Sequence, residues 1–236
     1  MKRLILALQL LTRLPLPPVQ ADDADFAAAI RWFPAAGVVV GIIVAGAAGL
    51  GARTDPWAGA LLGLVAWVAV TGALHLDGLG DIADAAGATH ADPRRLSAVL
   101  ADPHIGSFGV VAIGLQLLAK LVVLRLWLEA ASVWTVIPIA IIARIGPLLW
   151  TRWLPPLHEG LGSRFREGWR ASAATGWCAV GLLLAVLAPP LLLAALFIPL
   201  WAWWLRARIG GISGDGHGAG IELVETGLLA AMVVLR

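Results

Sequence analysis

Seven apolar stretches, set apart by short polar segments, dominate this chain. They lie at roughly 34–52, 57–75, 108–128, 133–151, 171–188, 190–206 and 218–235. About 18 apolar residues, rising 1.5 Å each, suffice for a helix to cross the hydrocarbon core of a bilayer. Lipid offers no partner to backbone amides, so such runs become helices rather than open strands. The expected fold is all-α: a polytopic integral membrane helix bundle of about seven transmembrane helices plus short interfacial helices, with 1–236 as a single domain. Composition agrees, at 60% hydrophobic and only 14% charged residues. Soluble domains carry about 25% charged residues. Pro189-Pro190 alone divides the fifth stretch from the sixth, which predicts a tight turn between antiparallel helices. The seventh stretch starts glycine-rich, carries two glutamates and is the weakest of the set.

The formal net charge is +2, and the basic residues are scattered, which argues against nucleic acid as a partner. They sort by topology instead. With the N-terminus in the cytoplasm, that side holds Lys2, Arg3, Arg13, Arg31, Arg94, Arg95, Arg152, Arg164, Arg166, Arg170, Arg206 and Arg208. The far side holds Arg53, Arg125 and Arg236, while Lys120 and Arg144 fall inside stretches. This is the positive-inside bias of a multi-pass protein with an odd number of spans. The longest polar segments, 76–107, 152–170 and 207–217, all fall on the cytoplasmic side. One-sided polarity suits an enzyme better than a transporter, which needs access from both faces. The N-terminal MKRLILALQLLTRLPLPP lacks a small-residue cleavage site and predicts an interfacial helix ending before Pro15. Cys178 is the sole cysteine, forms no internal disulfide and is expected to pack. The tryptophans are expected at the membrane interface, and Arg164, Phe165, Arg166, Trp169 and Arg170 as a headgroup-anchoring loop.

Three segments carry the residues that could do chemistry. In His75-Leu-Asp-Gly-Leu-Gly-Asp-Ile-Ala-Asp84, the acids Asp77, Asp81 and Asp84 recur at i, i+4 and i+7. That spacing puts three like charges on one helix face, which costs stability unless a cation sits among them. Mg²⁺ takes oxygen ligands and bridges carboxylates to substrate phosphates. His75 is a ligand or base, or an interfacial histidine with a hydrogen-bond partner. In Asp102-Pro-His-Ile-Gly-Ser-Phe-Gly109, Gly106, Ser107 and Gly109 open a helix. Backbone N–H groups there could meet phosphate, or the segment is an ordinary turn with a serine cap. A third segment, 210–225, combines glycines with Asp215, Glu222 and Glu225. Acids inside an apolar span are costly and face a cavity. Arg144 is expected to meet the aspartates or a phosphate, or to pair with Glu222 or Glu225. Lys120 is expected to snorkel or pair structurally.

These segments resemble, in order and over nearly the whole chain, the signatures of the cobalamin synthase family, adenosylcobinamide-GDP ribazoletransferase. Leu10-Leu-Thr-Arg-Leu-Pro-Leu-Pro17 and Trp32-Phe-Pro-Ala-Ala-Gly37 resemble its N-terminal signatures. The segment 75–84 resembles its acidic motif, with Gly80 where alanine is more usual. Segments 102–109 and 211–219, the latter followed by Glu222 and Glu225, resemble its two later motifs. The resemblance implies a bacterial inner-membrane enzyme that needs Mg²⁺. Its substrates would be adenosylcobinamide-GDP and α-ribazole or α-ribazole 5′-phosphate, with release of GMP. It implies Asp77, Asp81, Asp84, Asp215 and Arg144 as catalytic residues, and the four aspartates with Glu222 and Glu225 as metal ligands. His75, Asp102, Gly106, Ser107, Gly109 and Gly214 would bind substrate. Membrane lipid is the expected surrounding partner, and a homo-oligomer stays open. A CDP-alcohol phosphotransferase is the runner-up, but that pattern wants alanine-arginine where Asp81-Ile82 stands. A cation transporter using the buried acids is the alternative of a different class.

Overall fold

The computed structural model describes residues 1–91, 99, 100, 102, 104–157 and 160–235. The regular structure among these residues is helical. In chain order the helices are α1 (Lys2–Leu11), α2 (Asp23–Ala28), α3 (Phe33–Ala52), α4 (Pro56–Thr71), α5 (Leu74–Ala91), α6 (Ser107–Ala130), α7 (Val136–Ala143), α8 (Gly146–Trp153), α9 (Leu161–Gly168), α10 (Ala171–Leu187), α11 (Ala194–Arg208) and α12 (Gly214–Val234). The helix starts follow local chemistry. Asp55 accepts from the N–H groups of Trp57 and Ala58 ahead of Pro56, and Ser213 Oγ accepts from Gly216 N–H at the start of α12.

All seven expected stretches are helical, and two of them are interrupted. Five helical segments are long and apolar enough to cross a membrane: Asp23–Ala52, Ser107–Ala130, Val133–Trp153, Pro189–Arg208 and Gly214–Val234. A sixth exists only if α4 and α5 are one broken span, since they meet at 82°. Ala171–Leu187 is apolar but shorter. The second stretch therefore ends at Thr71 rather than near 75. Gly72 (φ 60°) and Ala73 (φ 59°) turn the chain with left-handed backbone, which glycine tolerates and alanine adopts at a cost. The fourth stretch is broken at Arg144-Ile145, between α7 and α8.

Close helix contacts hold the bundle together. A Cβ on Gly37 would fall 2.5 Å from the carbonyl oxygen of Ala140, so α3 and α7 touch backbone to backbone. Several tryptophans expected at the interface are core residues instead. Trp67, Trp127 and Trp150 are buried, and the last two donate to Thr135 Oγ1 and the Ile198 carbonyl. Phe165 is not a headgroup anchor: it is buried, stacked on Phe26 at 5.6 Å and edge-on to Phe33 at 5.3 Å. Cys178 is exposed rather than packed.

The polar segments gather at one end. Leu157 N–H donates to Ile212 and Ile212 N–H to Pro155, joining the segments before α9 and α12. Arg164 pairs with Asp23 at 3.3 Å, bringing α9 to α2, and Arg3 pairs with Asp25 at 3.1 Å. Residues 92–98 of an amphipathic stretch expected at 91–100, with Arg94 and Arg95, lie outside the described residues, as do Pro103 and Arg236.

Candidate active site

Helix α5 carries Asp77, Asp81 and Asp84 on one face, as their spacing predicts. Asp77 is exposed, and Asp81 and Asp84 are half-buried. The N-terminus of α12 lies directly against this helix. A Cβ on Gly78 would fall 2.8 Å from both Cα and the carbonyl oxygen of Asp215. One on Gly218 would fall 3.2 Å from Cα of His75. A side chain at Gly78 would run into backbone and one at Gly218 would be tight, so the two glycines let the helices approach closely. The contact brings Asp215 beside the α5 acids. Asp81 lies within the electrostatic field of Asp215 first, then of Asp77 and Asp84. Ser213 Oγ approaches Asp215 Oδ2 at 3.4 Å. No ion pair involves Asp77 or Asp81 among the described residues.

Asp84 plays a different part. Its carboxylate accepts N–H bonds from Gly106 at 2.7 Å and Gly109 at 3.0 Å, and so caps α6 from a neighbouring helix. This corrects two expectations. Those N–H groups are spent on Asp84 and are not aimed at phosphate, and Asp84 has both oxygens engaged before any cation arrives. A Cβ on either glycine would fall 2.4 Å from an Asp84 oxygen, which explains glycine at both positions. Ser107 is the exposed first residue of α6, with Gly106 at the N-cap. Asp102 is exposed and bonds its own turn. The backbone N–H and ring Nδ1 of His104 hold its carboxyl below the usual carboxylate range. Gly214 is exposed, with open space around it.

Glu222 and Glu225 do not join the aspartates. They lie in the core with Lys120 and Arg144, and all four are no more than 5% exposed. Lys120 Nζ lies 2.6 Å from Glu222 and 3.2 Å from Glu225, and Arg144 Nη1 lies 2.7 Å from Glu225. Gln116 donates to Glu222 at 3.0 Å and to Thr226 at 2.7 Å, and Lys120 sits 4.3 Å over the ring of Trp67. His75 belongs here too. It stands two residues before Asp77, hence on the opposite side of α5, buried against α12. Its ring and the two glutamates bring ligand atoms within 4.8 Å of one another. Two cations already balance the two glutamates, so a divalent ion would leave excess charge in a low-dielectric core. Arg144 is thus a structural partner of Glu225 through Nη1. Neither Gln116 nor Trp67 stood out in the sequence. Gln116 is four residues before Lys120, a helix-face signal that could have found it.

The acids brought together at the polar end of the bundle are therefore Asp77, Asp81 and Asp215. An all-oxygen set of like charges suits a hard divalent cation and a phosphorylated ligand. The sequence model of the cobalamin-5-phosphate synthase family matches residues 3–233. This chain belongs to that family. Relatives named adenosylcobinamide-GDP ribazoletransferase include one from Novosphingobium aromaticivorans, 55% identical over 99% of this chain and 97% of its own. One from Thiobacillus denitrificans is 51% identical over 97% of this chain and 94% of its own. One from Deinococcus radiodurans is 39% identical over 95% and 82%. No solved structure matches this chain.

Proposed function

We propose that this chain is an adenosylcobinamide-GDP ribazoletransferase. It joins adenosylcobinamide-GDP to α-ribazole or α-ribazole 5′-phosphate, forms adenosylcobalamin or its 5′-phosphate and releases GMP. Identity of 55% along nearly the full length with a relative of that name carries the reading. The enzyme sits in the bacterial inner membrane, with its polar end and N-terminus toward the cytoplasm, as the distribution of Lys and Arg supports.

The reaction forms one P–O bond and breaks another. The ribose hydroxyl oxygen attacks the phosphorus attached to the corrinoid side chain, and the bond to GMP breaks. Asp77, Asp81 and Asp215 would hold Mg²⁺, which when bound would neutralise charge on the pyrophosphate. The close crossing at Gly78 keeps Asp215 in place for this, so positioning is built into the backbone. A carboxylate of the same set takes the hydroxyl proton. Asp84 supports the site indirectly, by fixing the start of α6 against α5.

The test is turnover by purified protein in liposomes. GMP release from adenosylcobinamide-GDP plus α-ribazole is expected, abolished by EDTA and restored by Mg²⁺. Cation flux without GMP release would instead support a transporter.

A further inference from the structure

Beyond His75, the face of α5 opposite its acids borders an open groove. The groove, of about 930 Å³, runs between α5, α6 and α11, with α12 as its floor. This is near the upper end of small-molecule pockets, about 300–1,000 Å³. Its walls are almost wholly apolar, and Ala83, Phe108, Leu115, Trp204 and Leu223 typify them. Phe108 and Leu115 are 59% and 63% exposed. A continuous apolar surface of this kind belongs against lipid. Trp204 stacks on Trp201 at 5.1 Å, which stiffens the α11 wall.

Two observations identify the occupant. The first is length. The groove follows α11 from Phe197 to Arg208, roughly 16 Å at the helical rise, and one leaflet of hydrocarbon is about 15 Å deep. The second is charge. Arg208, in the last turn of α11, stands at the polar end of the groove, exposed and without an ion pair among the described residues. A cation at the mouth of an apolar channel one leaflet long matches a negative headgroup with its acyl chain below.

We propose that this groove binds one anionic phospholipid, with its phosphate at Arg208 and an acyl chain packed on the back of α5. The lipid completes the packing of the helix that carries Asp77 and Asp81. The site stands whether or not the proposed reaction is correct, because its test reads binding. The protein is purified in mild detergent, and the lipid it retains is counted by native mass spectrometry after exposure to vesicles of phosphatidylglycerol or phosphatidylcholine. One phosphatidylglycerol per chain is expected, in preference to phosphatidylcholine. Arg208→Gln should reduce retention about fivefold, the effect of one interfacial cation. Ala83→Trp and Leu115→Trp, which fill the groove from opposite walls, should each abolish it in protein that still melts cooperatively. Equal retention of the two lipids, or retention unchanged in Arg208→Gln and in whichever filled variant folds, overturns the proposal. So does a stable dimer that buries Trp204, which would make a second copy the occupant.

Discussion

Helix α12 carries two groups of acids about 10 Å apart along its axis, and they are treated in opposite ways. At its N-terminus Asp215 joins Asp77 and Asp81, three like charges at the polar end. Two turns on, Glu222 and Glu225 are buried, each matched by Lys120 or Arg144. A compensated charge in a core holds helices in register, because removing one partner strands the other where water cannot reach it. Like charges gathered at the polar end repel one another, and a cation among them would relieve that repulsion. The two groups differ in net local charge, rather than in the mere presence of acids, and the proposed site rests on that difference.

Substitutions at the two groups should therefore part activity from stability. The largest effect is expected for Asp81→Asn, a loss of at least about 100-fold in GMP release with the melting temperature unchanged. Near-normal turnover would sink the metal-site assignment. Glu225→Gln should do the reverse and cost about 3–5 kcal/mol of stability by stranding Arg144, read by denaturation in detergent. Should that variant unfold at the wild-type midpoint, the buried network is not a strut. Gly78→Ala sits on the boundary between the groups. Its Cβ meets the Asp215 backbone, so about 1–3 kcal/mol is expected, together with a weaker apparent affinity for Mg²⁺. Asp84→Asn should cost about 0.5–2 kcal/mol through the weakened cap on α6, with a far smaller drop in turnover than Asp81→Asn. Equal losses for the two would place Asp84 on the metal. Asp102→Asn should change least. Its carboxyl is held below the usual carboxylate range by His104, so it is ionised on both sides of neutral pH and the pH–rate profile there should not move.

Much of the site was legible because helical periodicity is local. The i, i+4, i+7 spacing put Asp77, Asp81 and Asp84 on one face before any contact was known. The same argument separates His75 from them, at two residues' distance, yet the shared motif obscured it. Phe165 misled because aromatic and basic neighbours look like an anchor whether the ring faces lipid or a core. Gly106 and Gly109 misled because a free N–H and one bonded to a residue more than twenty positions away have the same sequence.

The sequence by itself determined the membrane helix bundle, the acidic face of α5 and the gathering of polar segments on one side. Length, apolarity and spacing act within a few turns of chain, where physics leaves few alternatives. Only the tertiary structure decided which charge meets which. Arg144 could have served a phosphate, Glu222 or Glu225. Its pairing with Glu225 follows from where α7 breaks and how α12 packs against it. The bend at Gly72-Ala73 and the glycine contact between α5 and α12 likewise set Asp215 beside Asp81. Pairing energies depend on distance and burial between residues far apart in the chain, and no local pattern encodes those.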